Sequence, residues 1–199
     1  MQIRAMGYRT IFQPKSVIIH FEGISHGTDL SDGIKSNQPL NQQRFLEKWK
    51  EELEKNNYFR NENTFRARDK SKHKRVVLLV DYSVPSSSLR VNDQKYLQIV
   101  NSFLAKGLKV TIMPENFYKS DPETAELEQM GIEVLYGGWY RENWILWIHE
   151  NAAQIDTVIF IDDLIANKYG SIFKNIPNAR YKMTVINHDM EFDIMAVLS

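Results

Sequence analysis

Two carboxylates in succession, Asp162 and Asp163, close an apolar run from Thr157 to Ile161. Such groups can take a proton from a hydroxyl or hold hydroxyls by hydrogen bonds. Either can instead accept the first free backbone N–H groups of a following helix. A second polar cluster, Pro85-Ser86-Ser87-Ser88-Leu89-Arg90, comes after the apolar run Val76 to Val80. Ser87 and Ser88 supply hydroxyls, and the planar fork of Arg90 can pair with a phosphate or stay in solvent. No glycine lies in this segment, so it lacks the residue that lets backbone N–H groups close on a phosphate. The remaining polar candidates are His20, His26 with Asp29, and His188 within Asn187-His188-Asp189.

These residues gain meaning from the elements that carry them. Val76 to Val80 predicts a buried strand, and Tyr96, Ile99, Val100, Phe103 and Leu104 share one face of a helix that Gly107 stops. Leu108 to Met113 predicts a second strand. Asp121-Pro122 predicts a helix start, with Asp121 as the cap and Pro122 at the first helical position, and Gly131 closes it. Ile132 to Tyr136, Thr157 to Ile161 and Arg180 to Ile186 predict three more strands, separated by helices over Glu142 to Ala153 and Leu164 to Lys174. Apolar strands alternating with helices predict a Rossmann-like α/β unit over residues 76–199, a parallel sheet with helices on both faces. Ligands of such sheets bind beyond the carboxyl ends of the strands, where strand order reverses. With the first strand central, that crevice lies between the loops after Val80 and Ile161.

The earlier residues predict a small α+β segment. Tyr8 to Phe21 reads as two short strands broken at Pro14. Gly23 to Pro39 reads as a long irregular loop. Phe45, Leu46, Trp49 and Leu53 then mark an amphipathic helix. Residues 58–75, with Arg60, Arg66, Arg68, Lys70, Lys72, Lys74 and Arg75, show no apolar period and predict a basic linker between this segment, 1–57, and the sheet unit.

Composition narrows the class. Of 199 residues, 43% are hydrophobic and 25% charged, the proportions of a globular protein. The zero net charge conceals 15 Lys/Arg against 9 Asp/Glu in residues 1–75 and 10 against 16 thereafter. A basic first part favours anionic membrane surfaces or phosphates, or belongs to a solvated linker. The absence of cysteine excludes disulfides, thiolate metal sites and a cysteine nucleophile, and suits a reducing cytoplasm. No stretch approaches the ~20 apolar residues of a spanning helix, and the start lacks the apolar run of a signal peptide. A cytoplasmic protein is expected, at most peripheral at the inner face of a membrane, with no nucleic-acid partner.

Several motifs carry a resemblance. Arg4-Ala5-Met6-Gly7-Tyr8, Phe12-Gln13-Pro14-Lys15-Ser16, His20-Phe21-Glu22-Gly23 and Gly27-Thr28-Asp29 are similar to the C-terminal part of inverting GT-A-fold glycosyltransferases. Gly33-Ile34-Lys35 and Asn41 through Phe45 to Lys48-Trp49 resemble the variant in multidomain bacterial enzymes of surface-polysaccharide assembly, where a GT-B-type domain follows. Gly131-Ile132-Glu133-Val134-Leu135-Tyr136-Gly137 matches that domain, so the resemblance spans nearly the whole chain.

The resemblance implies a nucleotide-sugar donor and a glycan or lipid-linked glycan acceptor. It implies that His20 helps hold a divalent metal, Mg or Mn, with the diphosphate in the parent enzyme. The acidic elements completing that site would precede Met1, and the donor half of a GT-B enzyme would follow Ser199. The chain is therefore expected to be a fragment, incomplete as a transferase and holding no metal itself. Asn187-His188-Asp189 stands where the family reaches the acceptor, which makes His188 a catalytic candidate beside Asp162 and Asp163. His26 and Asp29 face an acceptor sugar or cap their loop. Gly137-Gly138-Trp139-Tyr140 with Trp144 and Trp147 offers either a sugar-stacking platform or plain helix packing. A non-catalytic docking module is the alternative; a response-regulator-like domain is disfavoured, since no acidic pair precedes the first strand and no lysine follows the fifth.

Overall fold

Val76, Val77, Leu78, Leu79 and Val80 have no polar side-chain atom to keep in water, and as β1 (Val76–Asp81) they form the centre of a parallel sheet. The computed structural model describes residues 2–8, 18–19, 36–58, 62–86 and 91–187. The chain divides into two units, Met1–Glu62 and Asn63–Ser199. In the second, β2 (Lys109–Pro114), β3 (Glu133–Val134), β4 (Thr157–Ile161) and β5 (Lys182–Ile186) join β1 in the order β3-β2-β1-β4-β5. Leu79 is in register with Ile112 on one side and Ile159 on the other, and Ile161 with Ile186.

Alternation of side chains along β1 explains its unbroken apolar run. Val76, Leu78 and Val80 pack with Trp147 and Ile148 of α6 (Gly138–Asn151) and with Ile165 and Phe173 of α7 (Asp163–Lys174). Val77 and Leu79 face the other way, onto Ile99, Val100 and Phe103 of α4 (Val91–Ala105) and Leu127 of α5 (Glu123–Gln129). A strand covered on both faces has no solvent side and therefore no polar alternation. The result is the expected Rossmann-like α/β architecture, with Phe173 at the middle of an aromatic group 5.4 Å from Phe160, 6.3 Å from Trp144 and 6.1 Å from Tyr181.

Several local expectations change. Pro122, not Asp121, occupies the cap position of α5 without a side-chain capping bond. The Asp121 carboxylate pairs with Lys119 Nζ at 2.7 Å instead. The Thr124 hydroxyl receives the Ser120 N–H at 2.9 Å. Helix α6 begins at Gly138, so Trp139 and Tyr140 form its first turn instead of a loop before Glu142. Strand β3 is two residues long. Gly107 and Gly131 do end α4 and α5, at φ 76° and 87°, the left-handed region where glycine has no Cβ penalty.

The division at Glu62 falls inside the segment read as a linker, and the residues after it are folded. Helix α3 (Thr64–Ala67) presents Arg66, 9% exposed, to the amino edge of the sheet. The guanidinium donates to the carbonyls of Lys74 and Gln154, each at 2.7 Å, and of Ser71 at 3.1 Å. It also lies 3.4 Å from Asp156 Oδ2, which accepts the Val76 N–H at 2.7 Å. Lys109 Nζ is 2.5 Å from Asp69 and 3.4 Å from Glu133, and 4.5 Å from the centre of the Phe65 ring. Arg68 pairs with Glu133.

In the first unit, α1 (Gln2–Ala5) closes with the Tyr8 N–H on the Ile3 carbonyl at 3.2 Å. Helix α2 (Gln38–Asn56) has Pro39 in its first turn and a non-helical residue at Trp49. Phe45 and Leu46 are exposed. The two strands expected between Tyr8 and Phe21 fall largely outside the described residues, as does most of the loop from Gly23 to Pro39. Tyr8, Ile18 and Ile19 have no regular structure.

Candidate functional site

Because β1, β2, β4 and β5 are parallel, their carboxyl ends share one edge. The chain leaves β1 for α4 on one face and leaves β4 for α7 on the other. These departures in opposite directions open the crevice that defines a ligand site in this architecture.

Asp162 stands at the mouth with φ 85° and ψ 146°, a conformation that costs a residue with a Cβ about 1–3 kcal/mol. Its Oδ1 accepts the Leu164 N–H at 2.8 Å, so it caps α7. Asp163, the first residue of that helix, leaves its carboxylate exposed and accepts Asn187 Nδ2 at 2.8 Å. The sequence left open which of the pair caps; the geometry gives the cap to Asp162 and the open carboxylate to Asp163.

Further groups ring the same edge. Asp81 ends β1, 3% exposed, with Oδ1 accepting the Tyr82 N–H at 2.6 Å. Glu115, the residue after β2, donates its N–H to the Asp81 carbonyl at 2.7 Å and pairs its carboxylate with Lys168 of α7. Loss of hydration pushes the Tyr82 phenol up from its ordinary value, and the charges of Asp162, Glu115 and Asp81 push it further against Lys168. Tyr82 therefore keeps its proton and is a donor. The hydrogen bond to Glu115 likewise holds Lys168 in its charged form.

The loop after β1 is pinned at its start. Ser86, 2% exposed, donates its hydroxyl to Glu123 Oε1 at 2.8 Å. Glu123 is held below the ordinary carboxylate value by its own backbone N–H first and by that hydroxyl next. Ser87, Ser88 and Arg90, the phosphate-binding candidates, lie outside the described residues, and so do His188, His20, His26 and Asp29. Of the predicted site residues, Asp162 and Asp163 are thus the pair seen at the crevice. Tyr82, Glu115 and Lys168 were not singled out by the sequence. The first two directly follow apolar strands, which is the signal that marks them; nothing in the sequence marks Lys168.

The chemistry of this edge is acidic. Among the described residues, Asp81, Glu115, Asp162 and Asp163 stand against the one ammonium of Lys168. A helix N-terminus ordinarily attracts a phosphate, but at α7 the Leu164 N–H is already taken by Asp162. Carboxylates and a protonated phenol suit hydroxyl groups, which can both donate and accept. Trp144 and Trp147 pack in the core, whereas Trp139 is 53% exposed with its ring edge-on to Tyr140 at 5.1 Å. Among the described residues no group of three or more His, Asp or Glu is placed to hold a metal ion. No helix among them is long and apolar enough to cross a membrane.

No protein-family model matches the chain, and no curated protein matches it. The class that fold and site define is a Rossmann-like parallel α/β unit with an acidic crevice at its carboxyl edge.

Proposed function

We propose that this chain serves glycosyl transfer in cell-surface polysaccharide assembly, with the crevice binding the glycan acceptor of a reaction whose donor is a nucleotide sugar. The observation that carries this reading is the mismatch between the crevice and a diphosphate. Among the described residues its carboxylates outnumber its cation, and at the α7 N-terminus the Leu164 N–H is already taken by Asp162. Acceptor hydroxyls suit these described groups better than a donor's diphosphate does. The motifs similar to glycan-assembling transferases supply the reaction class.

In that reaction an acceptor hydroxyl oxygen bonds to the anomeric carbon of the donor, the bond from that carbon to the diphosphate oxygen breaks, and the hydroxyl proton leaves for a base. Asp163 has the open carboxylate for that proton, Asn187 orients it, and Tyr82 can donate to a neighbouring acceptor oxygen. A positioned base contributes about 10²–10⁴-fold. A lipid-linked acceptor would bring the chain to the cytoplasmic face of a membrane. The second reading, a non-catalytic docking module, draws on the glycine-free loop after β1.

Backbone-amide NMR of the chain titrated separately with maltotetraose, cellotetraose, chitotetraose and UDP-glucose tests the acceptor reading. Shifts at Tyr82, Asp163 and Asn187 with a tetrasaccharide are expected. Shifts there with UDP-glucose alone refute it, and no shift with any probe leaves docking as the better account.

A further inference from the structure

Two exposed rings stand beside the crevice, on the side of β2 and β3. Tyr118, shortly after the end of β2, is 67% exposed, and Trp139, shortly after the end of β3, is 53% exposed. Trp144 and Trp147, further along α6, pack in the core.

Backbone hydrogen bonds tie both rings to the crevice. The Asp81 carbonyl accepts the Glu115 N–H at 2.7 Å and the Tyr82 carbonyl accepts the Asn116 N–H at 3.3 Å, so the loop after β2 begins against the end of β1. The Phe117 carbonyl then accepts the Gly137 N–H at 2.9 Å, which joins that loop to the one after β3. Lys119 Nζ, 5.8 Å from the centre of the Tyr136 ring, brings the two loops together a second time. The backbone under each ring is also held: Asn116 Oδ1 accepts the Tyr118 N–H at 3.0 Å, and Asn143 Nδ2 donates to the Trp139 carbonyl at 2.9 Å. Phe117, φ 49°, buries its own ring in the core beside the exposed ring of Tyr118.

The chemistry of the two loops selects the ligand. Tyrosine and tryptophan each join an apolar face to a polar tip and lose little side-chain freedom on binding. From Glu115 to Asp121 and from Leu135 to Gly138 no aliphatic side chain is exposed, so the loops lack the contiguous apolar groove that receives a helical peptide. Their one cation, Lys119, is paired with Asp121 at 2.7 Å, which leaves none to spare for a phosphate. A sugar ring presents C–H groups to an aromatic face and hydroxyls to a phenol or an indole N–H. We propose that Tyr118 and Trp139 form an aromatic platform that stacks a neutral sugar unit of the acceptor chain, next to the unit held in the crevice. This rests on the acceptor reading of the crevice. Strands β2 and β3 lie one and two places from β1, about 5 and 10 Å at the usual strand spacing. A unit beyond the reacting one therefore reaches the rings, and a longer glycan gains affinity because its second contact is intramolecular.

The platform and the crevice use different residues, so the two are separable. NMR of the full chain with maltotetraose, cellotetraose and chitotetraose is expected to shift the Tyr118 and Trp139 amides and the Trp139 indole N–H. A tryptic digest of albumin serves as the peptide probe. By calorimetry, the double substitution Tyr118→Ala, Trp139→Ala is expected to weaken tetrasaccharide binding at least about tenfold at unchanged melting temperature, with a far smaller loss for the matching disaccharide. Trp139→Phe, which keeps a ring, should retain most of the affinity. Shifts at Tyr118 and Trp139 without shifts at Tyr82, Asp163 and Asn187 would sustain the platform and refute the acceptor reading. Crevice shifts with both rings unshifted would overturn the platform and leave the acceptor reading standing. The platform is also overturned by peptides binding there in place of saccharides, by wild-type tetrasaccharide affinity in the double variant, or by an equal loss with the disaccharide.

Discussion

Asn187 Nδ2 donates to Asp163 Oδ2 at 2.8 Å, joining the residue after β5 to the first residue of α7. The contact orients the one carboxylate of the Asp162–Asp163 pair that is not engaged in capping. Asn187→Ala removes the orienting donor from an exposed carboxylate. Stability is expected to change by less than about 0.5 kcal/mol in urea denaturation. Glycan affinity measured by calorimetry should fall severalfold.

Asp162 carries backbone strain together with a cap, and two substitutions separate them. Asp162→Ala keeps the unfavourable φ and loses the cap, at about 0.5–2 kcal/mol. Asp162→Gly relieves about 1–3 kcal/mol of strain, and glycine substitutes for a capping side chain at a cost of only a few tenths. The glycine variant is expected to be more stable than the alanine variant by about 2 kcal/mol in urea.

Arg66 is a structural cation. Arg66→Met leaves the Ser71, Lys74 and Gln154 carbonyls without their charged donor and Asp156 without its partner. Hydrogen bonds to charged groups are worth about 1.5–3 kcal/mol each, and they do not add fully. A loss of about 3–4 kcal/mol is expected, read as a lowered urea midpoint.

The acid limb of stability has identifiable sources. Burial pushes Asp69 up, but hydrogen bonds from Lys109 and Ser71 outweigh it and hold the carboxyl below its ordinary 3.8. Glu123 is held below 4.5 by its own N–H and by Ser86. A carboxyl whose folded value is depressed adds stability above its unfolded value and loses it as pH falls through the folded one. The urea midpoint should therefore decline from about pH 4 downward. Asp69→Asn should lower the midpoint at pH 7 and flatten that decline.

The sheet was legible because strands buried on both faces are nearly apolar throughout, as Val76 to Val80 and Val158 to Ile161 are. The crevice followed from strand alternation, so Asp162 and Asp163 were found by position. What the sequence concealed depends on tertiary partners. Arg66 and Lys109 look like solvent charges until Asp156, Asp69 and Glu133 come beside them. Asp121 has a capping side chain, yet Lys119 and Thr124 settle that turn otherwise. Lys168 reaches the site through its side chain, which meets Glu115, the residue after β2 and 53 positions away in the chain.

The central proposal is that the carboxyl-edge crevice holds acceptor hydroxyls through Asp163 in preference to a diphosphate. Calorimetric titration of the wild type and Asp163→Asn with the tetrasaccharide that shifts Tyr82, Asp163 and Asn187, with and without UDP-glucose, tests it most directly. The account predicts crevice binding that falls at least tenfold in the variant and is not displaced by UDP-glucose. Unchanged affinity in Asp163→Asn, or displacement of the saccharide by UDP-glucose, would contradict it.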